Sequence, residues 1–386
     1  MSEFTSFVSN LNRDRYMRLF NRIREEKIPC AFFVPMIDFQ SQISFLEQLK
    51  NLGFNVQYFF TLDENLTDSL SGIPTVYIKN LQSVNPKPKY VLAVDSISNH
   101  FVNKFKDAGF EVVNLLTDSG DTDAIFNFYM DHLEDLEEVY SLLDEESRRV
   151  FLGYISAKIS NRFTDFVFDS MPQYLLNGYM PKPNDVVICA GACDGSTAAM
   201  FSDLKCRVIA FEMDSENYEL SKKSAAEKNF TLENFGLGSY NHKINYVHLA
   251  NHIGGSHISR DNDQNSLTAE IISIDEYARE KNLESVDFIQ LDTEGEELEI
   301  LKGAVVTITR FKPILAVSAY HKPEDIFVLA QFIKSIRPDY EFAFRHYGID
   351  IRFGSSRNDE PLHNFFREYD LPMMAYGYGE SVLYAR

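Results

Sequence analysis

From Asp185 onward, short apolar runs stop at a glycine or an acid, and helical stretches separate them. Val186–Ala190 runs into Gly191-Ala192-Cys193-Asp194-Gly195-Ser196, and a helix follows from Thr197. Arg207–Phe211 stops at Glu212, residues 287–291 stop at Asp292, and Ile314–Ser318 ends near His321. Residues 340–345 and 381–384 read as the last two strands. Strands alternating with helices predict an α/β domain with a mostly parallel sheet covered on both faces. In such a sheet, strand-end residues face the crevice where ligands bind. Between Ser239 and Glu270 the chain is polar and rich in Gly, Asn and His, which predicts loops or short antiparallel strands.

The amino-terminal part repeats itself. Lys50-Asn51-Leu52-Gly53-Phe54-Asn55-Val56 matches Lys106-Asp107-Ala108-Gly109-Phe110-Glu111-Val112, 56 residues later. A helical segment precedes each copy, and an apolar run precedes that: residues 31–36 and Tyr90–Val94. Each glycine stands where a helix C-cap needs positive φ. Residues 1–120 therefore read as a small parallel α/β accessory domain. It has no glycine-rich loop between strand and helix, and hence no phosphate cradle.

Residues 121–180 read as a helical linker, and 181–386 as the larger domain. Residues 118–146 hold eleven acids and no Lys or Arg. Their apolar members, Ile125, Phe128, Tyr129, Leu133, Leu136, Tyr140 and Leu143, fall at helical spacing. That predicts one amphipathic helix with a solvated acidic face. Asp144, Glu145 and Glu146 then start a helix carrying Val150, Phe151, Tyr154, Ile155, Ile159 and Phe163.

Charge narrows the partners. Lys and Arg number 37 against 57 Asp and Glu, a net −20. Nucleic acid and anionic membrane surfaces need a basic footprint, so neither is expected. No apolar run approaches the ~18 residues of a membrane span. The amino terminus has Arg13, Arg15, Arg18, Arg22 and Arg24 among apolar residues and no signal-peptide core, so a short amphipathic helix and a cytoplasmic location are expected. Cys30, Cys189, Cys193 and Cys206 form no zinc pattern and read as free thiols. His242, His248, His252 and His257 stand at no metal-ligand spacing.

The chemistry is expected at three strand ends. A strand, a glycine turn and a helix set backbone N–H groups against a ligand. Gly191 and Gly195 are four apart, unlike the dinucleotide fingerprint. The spacing suits an S-adenosylmethionine turn better, which argues against a nucleotide-dependent oxidoreductase. Ala192, Asp194 and Ser196 lie on this turn. Glu212, followed by Met213, stands where an acid accepts bonds from ribose hydroxyls. Asp292-Thr293-Glu294-Gly295-Glu296-Glu297 precedes a short helix for which Gly303 is the expected C-cap. Acids there also suit a helix start with no other role. His321 is the first candidate base, since its ordinary pKa of ~6.5 is near neutral. Asp292 and Glu294 are the others, and His346 is weaker. Asp292, Glu294 and His321 offer ligands suited to Mg2+ or Mn2+, though no spacing demands a metal.

Several segments together resemble the FkbM-like family of class I methyltransferases. They are residues 188–197, 210–214, 273–277, 287–303, 320–325, 345–347 and 380–385, in order over about residues 140–386. The resemblance implies a Rossmann-like, seven-stranded domain. It also implies an S-adenosylmethionine-dependent O-methyltransferase, releasing S-adenosylhomocysteine and acting on a hydroxyl of a sugar, glycan or natural product. By the matched positions, Gly191 and Gly195 would approach the methionine part of the cofactor and Glu212 the ribose, with Asp194 and Ser196 adding polar contacts; Ala192, Met213 and Asp292 complete the expected cofactor-binding set. Cys189 stands where the family often has an acid. A cofactor-binding scaffold without turnover stays open as an alternative, and so does self-association through the amino-terminal domain.

Overall fold

The structure, a computed structural model, describes residues 2–11, 15–33, 39–66, 69–94, 98–115, 122–160, 165–247, 257–258, 267–350, 364, 367 and 374–386. Arg13, residues 34–36, residues 118–121, Phe163, His248 and His252 lie outside them. The chain forms two compact units. One comprises Met1–Leu133, Arg149–Phe168 and Ala375–Gly379; the other comprises Glu134–Arg148, Asp169–Met374 and Glu380–Arg386.

The first unit begins with α1 (Glu3–Ser9) and α2 (Arg15–Glu25). Then follow β1 (Cys30–Phe33), α3 (Phe39–Asn51), β2 (Val56–Thr61), β3 (Ser69–Leu70), β4 (Ile73–Tyr77), β5 (Tyr90–Val94), α4 (Ser98–Asp107) and β6 (Glu111–Leu115). They build one sheet in the order β3-β4-β2-β1-β5-β6, parallel except at the β3–β4 edge. The sequence repeat is two strand–helix–strand units. Gly53 and Gly109 take φ of 92° and 87°. The following amides, of Phe54 and Phe110, reach back to the carbonyls of Leu49 and Phe105. This is the left-handed helix ending that the glycines permit.

The acidic segment is not one helix. Its described part forms α5 (Thr122–Asp131) and α6 (Leu133–Leu142), interrupted at His132. Glu134 and Asp135 occupy the first turn of α6, where acids complement the helix dipole, so a helix start competes there with continuation. The two units divide at this break. In α7 (Glu145–Ser160), Asp144 caps the start, its Oδ1 accepting from the Ser147 amide at 2.7 Å.

The second unit continues with β7 (Val186–Ala190), α8 (Ser196–Asp203), β8 (Arg207–Phe211), α9 (Ser215–Lys228), β9 (Thr231–Glu233), β10 (Gly236–Leu237), β11 (His242–Val247), β12 (His257–Ile258) and β13 (Leu267–Ile272). Then come α10 (Ile274–Glu280), β14 (Phe288–Leu291), α11 (Glu297–Lys302), α12 (Val305–Phe311), β15 (Ile314–Ser318), α13 (Asp325–Ile336), β16 (Phe342–Asp350) and β17 (Met374–Ala385). Seven strands form a sheet in the order β16-β17-β15-β14-β7-β8-β9. Pairing is parallel from β15 through β9, and β17 runs antiparallel to β15. β9 is the strand that the sequence did not reveal.

Every residue of β7 and β14 is buried, as unbroken apolar runs require in a sheet covered on both faces. Val187, Phe201, Val208, Phe288, Ala316 and Tyr384 share one core, where burying each large side chain contributes ~1.5–3 kcal/mol. The polar stretch between Ser239 and Glu270 supplies antiparallel β11 of a second, four-stranded sheet, β10-β13-β11-β12.

β7 is flanked by β8 on one side and β14 on the other, and the chain winds outward in both directions from it. In open sheets of this kind ligands bind beyond the carboxyl ends of the strands at such a switch point, here β7 and β14.

Candidate active site

The glycine turn closes onto β14. Gly191 and Gly195 both take φ of 81°. A Cβ on Gly191 would stand 1.9 Å from the backbone oxygen of Asp292, so only glycine fits. The amides of Gly191 and Ala192 both donate to the Phe211 carbonyl, at 3.1 and 2.9 Å. Asp194 Oδ1 accepts from the Ser196 amide at 2.9 Å, shaping the entry to α8. Ala192 is buried, whereas Cys193, Asp194 and Ser196 are partly open.

Glu212 fastens the turn from β8. Its Oε2 accepts the Cys193 amide at 2.7 Å and its Oε1 the Asp214 amide at 2.9 Å. Burial pushes its carboxyl up to about 7, with the Asp214 and Cys193 amides opposing the shift. Met213, half-buried, packs beside Gly236.

Cys189 is fully buried within β7, and its thiol donates to Gln290 Oε1 at 2.9 Å. Burial raises its pKa well above the usual thiol range, so it is a neutral core group rather than a substitute acid.

A second cluster gathers around Asp292. Tyr174 donates its hydroxyl to Asp292 Oδ2 at 2.8 Å, and Tyr320 donates to Oδ1 at 3.2 Å. His321 Nε2 lies 3.5 Å from Asp292 Oδ1 and 3.9 Å from Glu294 Oε2. Its Nδ1 lies 3.0 Å from Oε1 of Glu297, which is fully buried. Glu297 Oε1 also accepts the Thr293 amide at 2.7 Å. Glu380 enters from β17 and takes a hydrogen bond from Gln173.

Crowded carboxylates set the protonation states. Burial alone would lower the His321 pKa, but Glu297, then Asp292 and Glu294, outweigh it and push it up to about 9. The ring is therefore mostly an imidazolium at neutral pH. Burial raises the Asp292 carboxyl, against His321 and Tyr174. Burial and the charge on Asp292 push Glu380 up to about 7.

The crevice thus joins most residues singled out in the sequence. The glycine turn is tied to Glu212 and seated on Asp292, and Asp292 adjoins His321 and Glu294. His346 is elsewhere: it is buried, with Nδ1 2.8 Å from Ser381 Oγ. His242 stacks on Tyr240 at the surface. Gly303 ends α11 with φ of −81°, and its lack of a side chain serves close packing instead. A Cβ there would stand 2.0 Å from the Gly238 oxygen.

Sequence reasoning missed Glu297, Tyr174, Tyr320, Gln173 and Glu380 as site residues. Among the described residues, the one cluster with metal-ligating spacing is Asp292, Glu297 and His321.

A family model described as the methyltransferase FkbM domain matches residues 190–349, from the last residue of β7 into β16. Those 160 residues match the FkbM methyltransferase domain. The crystal structure of methyltransferase FkbM from Methylobacillus flagellatus KT resembles the whole chain, with a TM-score of 0.64 and 17% identity over 99% of this chain and 98% of that one. That likeness is one of fold and includes the amino-terminal unit. Precorrin-6y C5,15-methyltransferase from Geobacter metallireducens GS-15 aligns at 11% identity and TM-score 0.31, over 57% of this chain and 93% of that one. SMU.1697c from Streptococcus mutans, solved in complex with S-adenosylhomocysteine, aligns at 13% and 0.28, over 53% and 89%. No curated protein matches this sequence. The matched residues include the glycine turn, Glu212, Asp292, Glu294, Glu297 and His321, whereas Gln173, Tyr174 and Glu380 lie outside them. Among the described residues, no helix is long and apolar enough to cross a membrane.

Proposed function

We propose that the chain is an S-adenosylmethionine-dependent O-methyltransferase acting on a hydroxyl of a sugar, glycan or glycosylated natural product. One observation carries the reading: the turn from Gly191 to Gly195, Glu212 and Asp292 lie together at the switch point of an FkbM domain. These residues suit the cofactor. Each Glu212 oxygen accepts one backbone amide, which leaves acceptor capacity for two ribose hydroxyls. Gly191 lets the turn pack directly on the backbone of Asp292, which brings the turn and the acid to one end of the sheet. The acids of the crevice complement a cationic sulfonium.

When bound, S-adenosylmethionine supplies a methyl group already activated on sulfur. The protein's part is alignment and proton management. Fixing the acceptor oxygen in line with the methyl contributes up to ~7–11 kcal/mol. Asp292 is the proton acceptor, because His321 already carries its proton at neutral pH. Tyr174 and Tyr320 hold the Asp292 carboxylate in place. The His321 imidazolium, steadied by Glu297, stabilises negative charge growing on the acceptor oxygen. Carboxylates, tyrosine hydroxyls and Gln173 suit a neutral polyol better than an anion, and the net charge of −20 points the same way.

The test is incubation with S-adenosylmethionine and a panel of sugars and glycans. S-adenosylhomocysteine released only when an acceptor is present supports the reading. Cofactor binding without release across the panel favours a scaffold instead.

A further inference from the structure

We propose that Asp292, Glu297 and His321 form a site for one divalent cation of the Mn2+ or Mg2+ type. One ligand atom from each residue lies within 4.8 Å of the others. That span suits a single ion between them, since oxygen ligands sit ~2.0–2.6 Å from such cations.

A second observation points to a missing partner. Glu297 is fully buried, and its Oε2 has no hydrogen-bond partner among the described residues. Both ring nitrogens of His321 are also without one, although its side chain is only 8% exposed. The 3.0 Å approach of Nδ1 to Glu297 Oε1 is thus an ion-pair contact off the line of a hydrogen bond. A buried carboxylate oxygen left without a hydrogen bond costs ~1–3 kcal/mol, and the His321 nitrogens beside it have ionic contacts but no aligned hydrogen bond. A cation would satisfy Glu297 Oε2 and, by taking the place of a ring proton, one His321 nitrogen at once; with the ion bound, the ion rather than an imidazolium would stabilise charge on the acceptor oxygen.

The ligands are already oriented. Glu297 Oε1 is held by the Thr293 amide and hydroxyl, at 2.7 and 3.1 Å, which leaves Oε2 as the oxygen without a hydrogen-bond partner. Each Asp292 oxygen takes one tyrosine hydroxyl, which fixes the carboxylate in place. Supporting bonds of this kind are characteristic of metal ligands. Two carboxylates and one imidazole form a hard-to-borderline set with no thiolate, which suits Mn2+ or Mg2+. Three protein ligands leave further positions for oxygens of water or acceptor. This use of the ion rests on the methyltransferase reading: a hydroxyl on the cation would be held beside Asp292 and lose its proton more readily.

The test is titration of the full-length, metal-stripped protein with MnCl2, followed by electron paramagnetic resonance. Bound Mn2+ loses the six-line signal of the free ion, and pulsed spectra show nitrogen coupling when an imidazole is a ligand. The proposal expects one Mn2+ per chain with such coupling, displaced by excess Mg2+. It also expects affinity to fall at least ~10-fold in both Glu297→Gln and His321→Ala. Weak, millimolar binding, or tight binding without nitrogen coupling, overturns it, and both readouts need only the wild-type protein. S-adenosylhomocysteine binding is measured in parallel by calorimetry. Binding of S-adenosylhomocysteine without Mn2+ refutes the cation site and leaves the methyltransferase reading intact. Mn2+ binding without S-adenosylhomocysteine upholds the site and refutes that reading.

Discussion

Gly191 faces the backbone carbonyl of Asp292 so closely that a Cβ would stand 1.9 Å from that oxygen. The contact ties the turn after β7 to the end of β14. Gly191→Ala must move the turn or the end of β14, and it must also hold alanine at a φ of 81°. We expect a loss of ~1–3 kcal/mol in stability, with weaker S-adenosylhomocysteine binding. Urea unfolding and calorimetry check both. Unchanged values for both would show that the turn has room to spare.

Cofactor affinity should depend on pH through Glu212. Its carboxyl, raised by burial to about 7, must be ionised to accept from two hydroxyls. Affinity is then flat above pH ~7 and falls by up to tenfold per unit below it, with proton release on binding. In the cofactor-free protein the same group acts the other way. A folded-state pKa above the unfolded one favours folding at low pH, and that contribution is lost as pH rises through about 7. Calorimetry in buffers of different ionisation enthalpy counts the proton. A flat profile from pH 6 to 8 would remove Glu212 from the ribose role.

Asp292→Asn should separate chemistry from cofactor binding. Removing a placed base costs about 10²–10⁴ in turnover. Affinity for S-adenosylhomocysteine should stay within about tenfold, since Glu212 and the glycine turn are untouched. Turnover within a factor of three of wild type would transfer the proton to another group.

Arg345 tests the fold rather than the site. It is buried, 3.0 Å from Asp169 Oδ2, and donates to Ser147 Oγ at 2.6 Å. Arg345→Met strands Asp169, so a loss of ~3–5 kcal/mol is expected in urea unfolding. Asp169→Asn in the same chain should recover part of it. A loss below 1 kcal/mol would mean that water reaches the carboxylate.

The sequence was legible where the signal was local. Val186–Ala190, Arg207–Phe211 and Ile314–Ser318 are strands within the boundaries read from their apolar runs. Glu212 and Asp292 stand at the strand ends where their spacing placed them. The site residues that stayed hidden depend on tertiary placement. Gln173 and Glu380 bond across 207 residues, and no spacing rule spans that interval. Glu297 lies in an acid-rich run, and which acid turns inward is decided by the left-handed pair Glu294 and Gly295, with φ of 54° and 95°. Residues of positive φ at non-glycine positions are rare, so Glu294 gave no warning of that turn. His321 was read as a base because its ordinary pKa is near neutral. The carboxylates that keep it charged assemble only in the fold.

The central claim is that the glycine turn and Glu212 form a cofactor site. Titrating the purified chain with S-adenosylhomocysteine at pH 8, where Glu212 is ionised, tests it most directly. The account predicts one molecule bound per chain, with affinity reduced about 10- to 150-fold in Glu212→Ala, as loss of hydrogen bonds to a charged group implies. No binding by the wild-type chain, or equal binding by Glu212→Ala, would contradict it.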